Sequence, residues 1–196
     1  MIEYVSGTLT ELNPTMAVVE TAGVGFAVNI SLGTYSALNG RQNVKLYVYE
    51  AIREDAYTLY GFATKEERQM FMLLVSVSGV GAGTARMILS SVSTAELRDA
   101  VLTGNERILK GVKGIGLKTA QRIIVDLKDK VGVVNVSGQE VKSQAVAASV
   151  DADEAVQALQ MLGFAAPQVR KVVQKITEEN PAASVEQIIK QALKMM

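Results

Sequence analysis

Residues 72–88, MLLVSVSGVGAGTARMI, return in related form at 107–123 as RILKGVKGIGLKTAQRI. Leu74, Val77, Gly79, Val80, Gly81, Thr84, Ala85 and Ile88 are matched thirty-five residues on by Leu109, Val112, Gly114, Ile115, Gly116, Thr119, Ala120 and Ile123. Each copy has an apolar helix end, a Gly-x-Gly turn and a second helix that opens on Thr-Ala. That is the pattern of a helix–hairpin–helix, here in tandem. Glycines in the turn can take positive φ and let another backbone approach closely. The helix that follows presents N–H groups with no intrahelical partner at the positive end of its dipole, which suits a phosphate. The apolar residue between the glycines anchors the turn in the core and so aims those donors. Contacts of this kind touch no base edge, so the expectation is sequence-independent binding to a duplex backbone. A single Gly-x-Gly also links ordinary helices; two copies that share Thr-Ala and their apolar flanks argue against that reading.

Composition narrows the chemistry. In 196 residues, 48% are hydrophobic and 5% aromatic, which describes a globular chain able to bury a core and not a disordered one. No apolar run approaches a membrane span, and Met1–Gly7 has no basic segment, so neither a membrane partner nor a signal peptide is expected. The absence of Cys removes disulfides, thiolate nucleophiles and Cys-zinc sites. The absence of His removes the commonest general base and the usual zinc ligand. Net charge is zero, so bulk attraction does not drive DNA binding, but the charge is unevenly spread. Residues 1–63 are acidic, with Glu3, Glu11, Glu20, Glu50, Glu54 and Asp55 against Arg41, Lys45 and Arg53. Residues 64–131 carry Lys65, Arg68, Arg86, Arg98, Arg107, Lys110, Lys113, Lys118, Arg122, Lys128 and Lys130 against seven acids. The basic excess coincides with the two hairpins, as a DNA-facing segment requires.

The first sixty residues read as β structure. Apolar runs at Ile2–Val5, Met16–Glu20, Phe26–Ile30, Val44–Tyr49 and Ala56–Tyr60 are separated by turn signals at Asn13-Pro14, Ala22-Gly23 and Asn39-Gly40. Five such strands predict a small OB-like barrel. Tyr47, Tyr49, Tyr57, Tyr60 and Phe62 could stack bases, although core and barrel-face packing is the stronger reading at alternating strand positions. From Thr64 the period becomes helical. Thr64-x-x-Glu67, Ser93-x-x-Glu96 and Thr103-x-x-Glu106 fit the capping box, and further helices are expected from about Gly83 and Leu117. Residues 132–150 are small and polar and predict a flexible linker. Three helical stretches follow at Asp153–Leu162, Pro167–Glu178 and Ser184–Met195. The expected organisation is multidomain α+β: a barrel over 1–63, an all-α tandem helix–hairpin–helix domain over 64–131, the linker, and a three-helix bundle over 151–196. A bundle that small has a thin core and suits a partner-binding role.

Two near-misses are set aside. In Gly111-Val-Lys-Gly-Ile-Gly116-Leu-Lys118-Thr119, Leu117 separates Lys from the glycine that a P-loop needs beside it, and no strand precedes. Gly79-x-Gly81-x-Gly83 lacks the dinucleotide spacing and follows a helix. Glu54-Asp55 stands between two β-like runs and has three readings. It is a solvated turn, part of a magnesium site needing further carboxylates, or a negative projection that repels phosphates and parts strands.

The order of parts, with Arg53-Glu54-Asp55-Ala56, Leu59-Tyr60-Gly61-Phe62, Gly79-Val80-Gly81, Gly114-Ile115-Gly116 and Leu162-Gly163-Phe164, resembles the RuvA family of bacterial Holliday-junction-binding subunits across essentially the whole chain. The resemblance implies structure-specific binding of four-way DNA junctions by a homotetramer, single or as two facing tetramers, in the cytoplasm. It implies no catalytic residue, cofactor or metal of its own. The RuvB hexameric ATPase would supply the motor, with the RuvC resolvase a further partner. Glu54 and Asp55 would form the acidic pin at the crossover. Gly79, Val80, Gly81, Gly83 and Thr84, then Gly114, Ile115, Gly116, Lys118 and Thr119, would hold phosphates, with Arg122 as an added cation. Leu159, Leu162 and Phe164 would meet the motor. One departure stands out: family members often carry Lys where this chain has Ala82-Gly83, and again at Leu117, so the first hairpin must rely on backbone donors. Two other readings remain. One is a base-excision glycosylase with Lys118 catalytic, which would need an Asp near Val133–Val136. The other is a generic duplex-binding scaffold.

Overall fold

The computed structural model describes residues 1–131, 147–180 and 183–195. Contacts divide the chain into two compact units, Met1–Ser137 and Gly138–Met196. The first opens with strands β1 (Tyr4–Asn13), β2 (Met16–Thr21) and β3 (Val24–Ile30), then helix α1 (Leu32–Leu38), then β4 (Asn43–Ile52) and β5 (Tyr57–Phe62). The strands close a barrel in the order β1-β2-β3-β5-β4, in which β3 and β5 pair in parallel and the other neighbours antiparallel. Alternate residues (Ala17, Val19, Val28, Ile30, Leu46, Val48) fill its interior, as a period of two requires. Closure needs room at Gly61, where an added Cβ would lie 2.5 Å from Val28 Cγ1.

The expected strands are present, but the first is longer than its apolar run. It continues through Gly7–Asn13, where exposed polar Thr8, Thr10 and Glu11, the last two at a break in register, hide it from an apolar count. Helix α1 is not foreseen. It is short and reads as turn, yet Ser31 caps it by accepting from Thr34 N at 3.0 Å. Asn39-Gly40 accordingly follows a helix and does not join two strands.

Helices α2 (Lys65–Val75), α3 (Ala82–Ser91), α4 (Thr94–Thr103), α5 (Glu106–Lys110) and α6 (Leu117–Val131) complete the first unit. The Ser93–Glu96 capping box is fully formed. At Thr64 only half of it is: Thr64 accepts from Glu67 N at 3.1 Å, while the Glu67 carboxylate turns to the barrel. There it accepts from Ser31 Oγ at 2.5 Å, Thr34 Oγ1 at 2.7 Å and Ala63 N at 3.2 Å. The third expected box does not form. Thr103 ends α4, Gly104 turns the chain at φ +71°, and Asn105 caps α5 by accepting from Arg107 N at 3.2 Å. A left-handed glycine stops a helix more strongly than Thr-x-x-Glu restarts one.

The helical core is continuous with the underside of the barrel. Phe71 of α2 lies 5.2 Å from the Tyr49 ring, 5.3 Å from Tyr60 and 4.8 Å from Phe62. These aromatics are therefore core, whereas Tyr57 is exposed and Tyr47 sits among Lys45, Lys65 and Arg68. Their packing leaves no base-stacking platform of five rings.

The second unit packs α7 (Ala147–Met161), α8 (Ala166–Glu179) and α9 (Val185–Met195) around Ala155, Leu159, Val169, Val173, Ile176 and Ile188. Gly163, at φ +96°, follows the first helix as expected, and Ser184 and Gln187 exchange both capping bonds. α7 begins at Ala147, inside the stretch expected to be linker. The rest of that stretch, including Val133–Val136, lies outside the described residues. Among the described residues no helix is long and apolar enough to cross a membrane.

Three carboxylates have pKa values lowered from the ordinary 4.5: Glu3 by its bond to Arg68, Glu50 by the Tyr57 hydroxyl, and Glu96 by Ser93. A folded pKa below the unfolded one gives stability that is present above the unfolded value and is lost as pH falls through the folded one. Tm should therefore hold from neutral pH to about 4.5 and decline below it. Calorimetry at successive pH values checks this, and Ser93→Ala should remove part of the dependence together with about 1 kcal/mol of stability.

Candidate nucleic-acid interface

The sequence repeat is also a hydrogen-bond repeat. In the first hairpin Val77 N donates to Leu74 O at 3.1 Å, Val80 N to Val77 O at 3.0 Å and Ala85 N to Gly81 O at 2.9 Å. In the second, Val112 N donates to Leu109 O at 3.1 Å, Ile115 N to Val112 O at 3.1 Å and Ala120 N to Gly116 O at 2.9 Å. Gly79 and Gly114 stand at φ +91° and +88°, a conformation that L side chains rarely adopt. Val80 and Ile115 are buried, so they anchor the turns and offer no side-chain surface.

Gly81 caps α3 with extended backbone and no side-chain hydrogen bond, so the opening N–H groups of that helix remain available. Gly116 immediately precedes α6 and accepts from Ala120 N, the position that Gly81 holds ahead of α3. A Cβ built on Gly81, Gly83 or Gly116 would meet nothing within 4 Å. Packing inside the chain thus gives no reason for glycine at these positions, and the space they leave opens outward. Thr84 and Thr119 are half-buried beside the turns, and Lys118 and Arg122 are exposed.

The basic excess divides unequally. Arg68 pairs with Glu3 and also donates to Val48 O at 3.4 Å; Arg98 pairs with Glu66 at 2.8 Å. Arg86 donates to Asn29 Oδ1 at 2.9 Å and Thr15 O at 3.2 Å. The arginines around the first hairpin are thus engaged within the protein. Among the described residues Arg107, Lys110, Lys113, Lys118, Arg122, Lys128 and Lys130 form no ion pair; the first five flank the second hairpin, and Lys128 and Lys130 lie in the last turn of α6.

Glu54 and Asp55 are exposed at the tip of the β4–β5 hairpin, which Arg53 N closes onto Ala56 O at 2.8 Å. The stem below is braced where Glu50 accepts from Tyr57 Oη at 2.5 Å and Ile2 N at 2.8 Å. The Ile2 half of this brace is invisible in the sequence because it spans 48 residues, and the Tyr57 half, seven residues away, depends on the strand register. Among the described residues there is no group of three carboxylates that could hold a metal ion.

The residues expected to meet a motor separate. Leu159 is fully buried in the bundle core, Phe164 is half-buried against it, and Leu162 is 61% exposed beside exposed Met161. Leu159 therefore supports the bundle from within. The family resemblance that grouped it with Leu162 thus joins a core residue to a surface one at the helix end.

Three family models cover the chain: RuvA N terminal domain over residues 1–61, SAM-like helix-hairpin-helix tandem over 71–129, and RuvA C-terminal domain over 150–196. The chain is 58% identical to a protein of Bacteroides thetaiotaomicron, with all of each chain covered. It is 55% identical to one of Bacteroides fragilis and 50% identical to one of Porphyromonas gingivalis, again over the whole of each chain. Each of these relatives is named Holliday junction branch migration complex subunit RuvA. With its barrel, paired hairpins and terminal bundle matched end to end, the chain belongs to the RuvA family.

Proposed function

We propose that this protein binds four-way DNA junctions without reading their sequence, holds them open, and recruits the RuvB ATPase for branch migration, contributing no bond chemistry itself. The observation that carries this reading is the pair of hairpins with matching hydrogen bonds, each leading into a helix N-terminus whose flanking glycines face empty space. Such donors fit phosphate oxygens and touch no base, so DNA can slide through them. Four copies would supply eight hairpins, two for each arm of a junction, with four Glu54–Asp55 tips around the crossover. Like charges at that point repel phosphates and favour open arms. Leu162 and Met161 form the exposed apolar surface through which the bundle would meet the motor.

A gel-shift comparison tests the reading directly. At equal salt the protein should prefer a synthetic four-way junction over linear duplex; equal affinity for both would overturn it. Light scattering with the junction should report a tetramer or two tetramers, and a monomeric complex would contradict the fourfold arrangement. Each phosphate neutralised should lower log K by about 0.9 per log unit of salt. Neutralising the tip with Glu54→Gln and Asp55→Asn should leave junction binding intact or tighter while changing strand exchange. Loss of binding in that variant would assign the pair a structural role.

A further inference from the structure

The hairpins are alike in their turns and differ in what holds the helix that follows. α6 packs chiefly on α4, α5 and α2, within the helical core, whereas α3 packs on α2 and also on α1, which belongs to the barrel. Arg86 lies two residues beyond Thr84 on α3, and its counterpart in the second copy is Gln121, one of the places where the repeat breaks. Its guanidinium is directed at the barrel, with Asn29 of β3 and the carbonyl of Thr15 in the β1–β2 turn as acceptors. Asn29 in turn donates Nδ2 to Leu59 O at 3.3 Å, in β5. One helical turn further on, Ser90 Oγ donates to Arg86 O at 2.8 Å and accepts from Leu32 N of α1 at 3.2 Å. A continuous polar path thus runs from the helix of the first hairpin to the strand that descends from the acidic tip.

We infer that Arg86 is a positioning residue: through Asn29 it sets where the donors of the first hairpin stand relative to Glu54 and Asp55, and so determines the preference for junction over duplex without itself contacting DNA. The inference rests on the function proposed above. Linear duplex needs only the phosphate donors, which Arg86 leaves unchanged. A junction engages the donors and the acidic tip together, so only junction binding depends on their relative placement.

The test uses the full chain with Arg86→Met, Asn29→Ala and the double variant, titrated by anisotropy against a four-way junction and a linear duplex over a range of salt. Each single variant should weaken junction binding by about tenfold, the order of one lost charge-assisted hydrogen bond. Duplex affinity and salt slope should stay as in the wild type, and the double variant should be no worse than either single one. Arg86→Lys keeps the charge and reaches fewer acceptors, so it should fold normally and lose part of the preference. A parallel loss on both substrates, with a salt slope smaller by about 0.9, would make Arg86 a phosphate contact and overturn the inference. A wild-type preference in all the variants would overturn it too. A wild-type protein with no junction preference would instead remove the function on which it rests.

Discussion

Gly81→Asp and Gly116→Asp should each leave the protein as stable as before and reduce junction affinity by about 10- to 150-fold. The stability half follows from space and from helix chemistry. A Cβ at either position meets nothing within 4 Å, and neither glycine holds a positive φ. Asp is moreover a favoured residue ahead of a helix, where its carboxylate accepts from the opening N–H groups, worth about 0.5–2 kcal/mol relative to Ala. The binding half follows from the same bond. A carboxylate that satisfies those donors occupies the place of the phosphate and repels it. The loss of a hydrogen bond to a charged group is worth about 1.5–3 kcal/mol, which sets the range given. Thermal unfolding and junction titration on the same samples check both halves. Gly61→Ala is the contrasting control: its Cβ would collide with Val28 inside the barrel, so it should lower stability by about 1–3 kcal/mol. A Gly116→Asp protein that binds as well as the wild type would show that the second hairpin does not hold phosphate.

The largest stability effect is expected from Phe71→Ala, at about 3–5 kcal/mol. Phe71 is fully buried, and the rings of Tyr49, Tyr60 and Phe62 all meet it. These three residues lie on β4 and β5, the strands that carry Glu54 and Asp55, so Phe71 joins the stem of the acidic tip to the helices that hold the hairpins. Its removal leaves a cavity bounded by rigid rings, which collapse poorly. The loss is a large share of a domain's usual 5–15 kcal/mol. Urea unfolding followed by tyrosine fluorescence reports on the first unit, which holds every tyrosine in the chain. That transition should move to lower urea, while helix loss from the second unit, followed separately by circular dichroism of the isolated transition, should not. An unchanged first transition would mean that the barrel and helices are held together elsewhere.

Local pattern made much of this molecule legible. The two hairpins, their anchoring Val80 and Ile115, and the caps at Thr64, Ser93 and Ser184 all depend on residues within four or five positions of one another. Spacing along the chain therefore specifies them. The same local logic failed where two signals competed, as at Thr103–Glu106, and where polar residues alternate along β1.

What the sequence by itself determined is the inventory: a barrel of five strands, a duplicated Gly-x-Gly hairpin, an acidic tip, a terminal bundle, and the family to which they belong. Only the tertiary structure decided how those parts are used. It turned Arg68, Arg86 and Arg98 into bonds within the chain, while Lys113, Lys118 and Arg122 beside the second hairpin stay exposed. It diverted Glu67 from its own helix cap to Ser31 and Thr34, and it buried Leu159 while exposing Leu162. Each of these outcomes depends on partners some thirty to seventy residues apart, or on which side of a helix faces its neighbours. A side chain's charge or hydrophobicity is written in the sequence; the group that satisfies it is chosen by packing.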